Sequence, residues 1–262
     1  MRLISICPNN TELIDELGLT PHLVAVDDYS DHPESVLSLP RLGPDLSIDM
    51  DRVESLQPDL VLASLSVPGM EKNIDELERR GIPHLTLNPQ SFKDIADDLL
   101  SIGRACRMDE SDVLNKRGHF LQKVEELKAI GQGITNRPSL YWEWWPKPVF
   151  TPGRTNWLTE LSDMCGAVNL FRDVELASVQ TDWEDVLARD PDYICLAWVG
   201  VRQDKVKPEL IKKRPGWTSL KAVQDERILV LEEAFYCRPS PLLLKGAVKL
   251  AKILHPDEYA HM

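Results

Sequence analysis

One stretch limits the possible folds at once: residues 109–130 carry no strand-like run and no turn signal. Phe120, Leu121, Val124, Leu127 and Ile130 recur there at helical spacing, which predicts a single helix of roughly 30 Å at 1.5 Å per residue. On either side, short apolar runs alternate with helix-like segments, the pattern of a sheet flanked by helices. A rigid rod between two such halves predicts an α/β protein of two lobes, each with a central, mainly parallel sheet flanked by helices, bridged by the long α-helix. The expected boundaries are 1–108 for the N-terminal lobe, 109–132 for the linking helix and 133–262 for the C-terminal lobe. Each lobe then has enough chain to bury its own core.

Residues 2–6 read as the first strand; the Pro8-Asn9-Asn10 break follows, and Asn10 is the expected N-cap of a helix over 11–17 that Gly18 ends. Further strands are expected at 22–26, 60–63 and 83–87, with helices at 49–56 and 69–80. Ser91, with Asp94 three residues on, suggests a capping box for a helix running to 107. In the second half, strands are expected at 139–144, 193–197 and 228–231. Helices are expected at 155–164, after a capping box in Thr181-Asp182-Trp183-Glu184, and from Pro239 to the His255-Pro256 break. An internal echo joins the halves: 53–63 and 186–197 both read as helix end, Pro-Asp turn and buried strand, with Pro58-Asp59 answering Pro191-Asp192.

The formal charge of −12 repels phosphate backbones and anionic lipid, so neither nucleic acid nor a membrane surface is the expected partner. No apolar run approaches the roughly 20 residues that span a bilayer, and no signal-peptide core follows Met1. The five cysteines, Cys7, Cys106, Cys165, Cys195 and Cys237, form an odd set without close pairs and read as free thiols of a reducing compartment. The expected location is therefore cytoplasmic, with an extracytoplasmic one as the alternative if a leader has been removed.

Five segments, in order, carry a resemblance: Ile4-Ser5-Ile6-Cys7-Pro8-Asn9-Asn10-Thr11-Glu12-Leu13, Tyr29-Ser30-Asp31-His32-Pro33, Leu56-Gln57-Pro58-Asp59-Leu60-Val61, Phe150-Thr151-Pro152-Gly153-Arg154 and Arg238-Pro239-Ser240-Pro241. Over nearly its whole length the chain resembles the helical-backbone substrate-binding proteins of ABC importers for cobalamin and ferric siderophores, and most closely the cobalamin-binding branch. The resemblance implies a non-catalytic protein that holds a corrinoid between its lobes, on loops leaving the strand ends. The residues it points to are Asn10, Tyr29, Ser30, Trp144, Trp145, Arg154, Trp198, Phe235, Tyr236 and Arg238. A corrin offers flat apolar faces and a rim of carboxamides, which suits aromatic walls carrying a polar atom. In Tyr141-Trp142-Glu143-Trp144-Trp145, Trp142 and Trp144 share a strand face and can both serve a core, while Trp145 points the other way or begins the loop. Asn9 and Asn10 can cap a helix instead of touching a ligand, and Arg154 and Arg238 can each tie down their own loops.

Two departures from the family pattern stand out. Ser64 occupies the place of a cleft tryptophan after the third strand. The resemblance also implies docking to the importer's membrane subunits through one glutamate on each lobe; Glu71 matches the first, but Cys237 stands at the second. The rival functions are binding of a ferric siderophore or haem, and an enzyme acting between the lobes. Against the enzyme, the chain has no Gly-x-Ser-x-Gly elbow, phosphate loop, His-Glu-x-x-His or Cys-x-x-Cys. No catalytic cofactor is expected, and the six scattered histidines lack metal-ligand spacing.

Overall fold

Strands whose side chains are apolar on both faces need cover on both, and parallel strands supply it, because each crossover lays a helix on the sheet. The computed structural model describes residues 1–262 and divides into two compact units, Met1–Leu121 with Pro239–Pro241, and Gln122–Arg238 with Leu242–Met262.

The first unit contains β1 (Leu3–Ser5), α1 (Pro8–Glu16), β2 (Leu23–Val26), α2 (Met50–Ser55), β3 (Leu60–Ser64), α3 (Glu71–Arg79), β4 (His84–Leu87) and α4 (Phe92–Ala105). Its four-stranded sheet has the order β2-β1-β3-β4, all parallel. Ile4, Ile6, Ala25, Val61 and Ala63 share one buried face with Met50 and Val53 of α2 and Leu77 of α3. The first helix begins earlier than expected: Cys7 is the N-cap and Pro8 the first helical residue, so Asn10 lies inside the helix. Proline suits that position because its missing N–H would be unpaired there in any case. The Ser91 cap forms as expected, accepting the Asp94 N–H. Its reciprocal arm reaches one residue further back, from the Asp94 carboxylate to the Gln90 N–H at 3.0 Å.

Helix α5 runs unbroken over Glu110–Gly133, about 36 Å for its 24 residues. Val113, Phe120, Val124, Leu127 and Gly131 are its buried residues, at the spacing of one helix face. In the first unit α5 approaches α4 closely at Gly103, where a Cβ would stand 2.5 Å from a Val113 methyl. In the second it passes the end of a neighbouring helix at Gly131, where a Cβ would stand 2.2 Å from the Asp163 carbonyl oxygen.

The second unit continues with β5 (Ser139–Glu143), β6 (Trp145–Pro146), β7 (Val149–Pro152), α6 (Trp157–Met164), β8 (Val168–Asn169), β9 (Ser178–Thr181), α7 (Trp183–Arg189), β10 (Tyr193–Leu196), α8 (Lys221–Gln224), β11 (Ile228–Val230), α9 (Glu233–Tyr236) and α10 (Leu243–Leu254). Its parallel sheet has the order β11-β10-β5-β8, and a three-stranded antiparallel sheet, β6-β7-β9, stands beside it. The stretch after Trp144, expected as a loop, is thus partly a hairpin, with Pro146 on an edge strand where a missing N–H does no harm. Asp182, not Thr181, caps α7, accepting the Asp185 N–H. The last helix starts at Leu243 rather than Pro239. Pro241 pushes the preceding Ser240 away from helical backbone angles, so no helix can run through Pro239-Ser240-Pro241.

The internal echo has one physical meaning in both units. Gln57 and Asp190 end their helices with positive φ (47° and 45°). Two residues on, each Asp carboxylate accepts a backbone N–H of the neighbouring strand, Asp59 from Arg2 at 2.6 Å and Asp192 from Ser139 at 2.9 Å. The same pairs are closed in reverse by the Asp N–H groups bonding the Arg2 and Ser139 carbonyls at 2.9 and 3.1 Å.

Candidate functional site

In open parallel sheets ligands are met at the carboxyl ends of the strands, where loops leave the layer. Of the loops that leave this edge of the first unit, those after β1, β2 and β3 carry the candidate residues. Asp27 braces the second: its carboxylate accepts the Tyr29 N–H at 2.8 Å, the Ser30 N–H at 3.1 Å and the Ser30 hydroxyl. Arg41 clamps the same loop by donating to the Asp27 and Ser30 carbonyls at 2.8 and 2.7 Å. The Tyr29 ring is left outward and 47% exposed. Ser30 is buried and its hydroxyl is shared between Asp27 and Thr11, so it shapes the loop instead of offering a free contact.

Asn10 is also enclosed; its Oδ1 accepts from Asn9 Nδ2 at 2.9 Å, while its own Nδ2 has no partner. Ser64 is buried and bonded to Ser66 at 2.9 Å, so this loop presents small hydroxyls where the family pattern has a ring. Glu71 opens α3, exposed, with its carboxylate accepting the Gly69 N–H at 2.7 Å. An acid there is favoured by the helix dipole.

The second unit's carboxyl edge carries most of the candidate aromatic residues. Trp144 is half-buried, with its ring against Trp157 at a centroid distance of 5.9 Å and its indole N–H enclosed without a partner. Trp145 pairs with Phe150 across the β6–β7 hairpin and is 43% exposed. Trp198 follows β10, the neighbour of β5, and its indole N–H donates to Glu143 Oε1 at 3.1 Å. Phe235, half-buried on α9, has the Lys249 ammonium 4.3 Å from its ring centre. Trp157, which the sequence did not single out, links the set by donating its indole N–H to the Tyr236 carbonyl at 2.9 Å.

The packing corrects one expected contact and pairs two others within the protein. Tyr236 is wholly buried, with its ring 5.6 Å from that of Trp142 and its hydroxyl on the Gly246 carbonyl at 2.9 Å, so it is core and not a ligand wall. Burial raises its phenol far above the ordinary range. Arg238 is buried against Glu233, which accepts from its Nε at 2.9 Å, so its charge is matched within its own loop region. Arg154 is exposed and ion-paired with Glu175.

A buried charge pair went unforeseen. Glu143, at the end of β5, accepts from Arg214 at both oxygens, 2.6 and 2.7 Å, with both side chains almost wholly buried. An acid within a strand of Tyr and Trp was the available signal, because a carboxylate on a buried strand needs a partner. The partner, seventy-one residues on, carried no sequence signal.

No group of three His, Cys, Asp or Glu side chains is arranged to hold a metal ion. Cys7, Cys165 and Cys195 are buried and their thiols pushed far upward by burial, while Cys237 donates to the Ala197 carbonyl at 3.1 Å.

A family model described as "Periplasmic binding protein" matches residues 3–234. The chain is 30% identical over 263 aligned residues to an uncharacterized ABC transporter substrate-binding lipoprotein of Bacillus subtilis, covering 98% of this chain and 81% of that one. It is 28% identical over 255 residues to the vitamin B12-binding protein of Vibrio cholerae, covering 97% and 88%. The crystal structure of the periplasmic vitamin B12 binding protein of Vibrio cholerae matches with a TM-score of 0.79 at 24% identity, covering 100% of this chain and 98% of that one.

Proposed function

The chain belongs to the periplasmic binding protein family, and from that premise we propose that it is a non-catalytic binding protein whose ligand is a corrinoid, cobalamin or a close relative. The observation that carries the reading is the open aromatic edge of the second unit, where Trp145 is 43% exposed and Trp198 and Phe235 are half-buried. Flat faces that keep polar atoms at their rims match a corrin and its carboxamides. The 28% identity to a vitamin B12-binding protein over nearly the whole chain supports the same ligand. Tyr29 is the open aromatic of the first unit.

The test is calorimetric titration with cyanocobalamin and cobinamide, and with haem and a ferric siderophore as competitors for the assignment. A Kd of micromolar or tighter, about −8 kcal/mol, is expected for a corrinoid. Silence with both corrinoids together with binding of haem or the siderophore would replace the ligand while leaving the family role intact.

The compartment and partner follow from the same support. The similarity to a lipoprotein component of an ABC transporter favours an extracytoplasmic protein serving membrane subunits, in place of the cytoplasmic reading of the cysteines. No helix is long and apolar enough to cross a membrane. The thiol argument weakens because buried thiols raised by desolvation are inert and need no reducing compartment. Glu71 is the proposed docking residue of the first unit. Adding the protein to a reconstituted cobalamin importer and measuring ATP hydrolysis tests this; no stimulation, with corrinoid binding intact, would restore a role in capture alone.

A further inference from the structure

Every acceptor site of the Glu143 carboxylate is filled. Oε1 accepts from Arg214 Nη2 at 2.7 Å and from the Trp198 indole at 3.1 Å; Oε2 accepts from Arg214 Nη1 at 2.6 Å and from the Tyr141 hydroxyl at 2.7 Å. The Arg214 guanidinium in turn lies 4.9 Å from the Trp183 ring centre and 4.4 Å from that of Trp217. Trp217 donates its indole N–H to the Trp183 carbonyl at 3.0 Å, and Trp183 donates its own to the Pro146 carbonyl at 3.1 Å. Pro146 is paired in the same short strand as Trp145. One buried carboxylate is thus connected directly to Trp198 and, through Arg214 and Trp183, to the hairpin that carries Trp145.

We propose that Glu143 is the positioning residue of this aromatic edge: it holds the Trp198 indole and the Trp145 hairpin in register, so that ligand affinity depends on a side chain that is itself wholly buried. A charged acceptor fixes a ring more firmly than a neutral one, and a ring held before binding loses less freedom when the ligand arrives. An Arg fork received by a carboxylate and covered by two indoles has few alternative arrangements. A buried ion pair contributes little net stability over apolar packing, so orientation of the edge is the property this pair supplies. The ligand named in the test rests on the corrinoid reading; the positioning does not.

The experiment uses Trp198→Phe, which removes the indole N–H and leaves the ion pair in place, Glu143→Gln, and the double variant. In ligand-free protein, the indole N–H resonance missing from Trp198→Phe is assigned to Trp198. It is expected to exchange slowly with solvent and to move upfield in Glu143→Gln. The Kd for cyanocobalamin is expected to weaken about tenfold in Trp198→Phe and at least as much in Glu143→Gln, with the double variant no worse than Glu143→Gln alone, because the loss of the Trp198 anchor is already contained in that change. An unmoved indole resonance, or losses that multiply in the double variant, would overturn the proposal. If the unmodified protein binds no cyanocobalamin, the corrinoid reading fails, and the resonance shift alone decides the positioning. If Glu143→Gln does not fold, exchange of the Trp198 indole proton in the unmodified protein decides it: slow exchange supports the carboxylate anchor and free exchange overturns it.

Discussion

Replacing Arg214 by Met strips the Glu143 carboxylate of two of its donors and its only bonded countercharge while leaving it wholly buried. Glu143→Gln does the converse to the guanidinium. Breaking one member of a buried pair costs about 3–5 kcal/mol, because the other charge stays out of water uncompensated. At about 2–4 °C per kcal/mol for a chain of this size, each single variant should melt roughly 6–20 °C lower. The double variant removes both charges. The amide introduced by Glu143→Gln can accept from the Trp198 indole at its oxygen and donate from its NH2 to the Tyr141 hydroxyl oxygen, and a Met side chain can lie on the Trp183 and Trp217 faces that the guanidinium now covers. The double variant should therefore be more stable than either single variant. Urea unfolding at neutral pH, followed by tryptophan emission and far-ultraviolet circular dichroism, measures all four corners of the cycle. If a single variant loses less than about 1 kcal/mol, the value for an exposed pair, or if the double variant loses the sum of the singles, the pair is not coupled as its geometry requires.

The strand tryptophans should separate cleanly: Trp142→Ala removes a fully buried ring and its bond to Ser162, costing about 3–5 kcal/mol in urea unfolding, while Trp145→Ala leaves stability nearly unchanged and weakens cyanocobalamin binding in calorimetry. Burial, then the neighbouring Asp94 and Asp97, push the Asp98 carboxyl up to about 7. Its folded value thus lies above its unfolded one, so its penalty is absent below the unfolded value, grows through the acid range and is complete above about pH 7. Asp98→Asn should stabilise by about 2 kcal/mol at pH 8, allowing for solvent screening, and do nothing below pH ~3.5, as read from melting curves across pH. Gly131→Ala should destabilise by about 1–2 kcal/mol, since its Cβ would meet the Asp163 carbonyl oxygen at 2.2 Å, whereas Gly118→Ala, with nothing within 4 Å, should gain up to about 1 kcal/mol in the same unfolding assay.

The sequence by itself determined the local features whose signals lie within a few residues. Helix α5 was legible because its apolar period runs unbroken, and the Ser91 cap because a cap bonds three residues ahead. The Pro-Asp echo was legible too, since both copies perform one task, bonding the edge of the next strand. Helix starts failed where prolines set the backbone, at Pro8 and at Pro239-Ser240-Pro241. Only the tertiary structure decided which aromatic residues are open. Phe235 and Tyr236 are chain neighbours, yet one keeps an accessible face and the other closes on Trp142 and Gly246. Likewise the fate of Glu143 was settled by Arg214 and Trp198, brought to it from distant parts of the chain. The physical reason is range: helix periods, caps and turns are satisfied by neighbours in sequence, whereas burial and the matching of a buried charge depend on which distant side chains the packing of the sheet brings alongside.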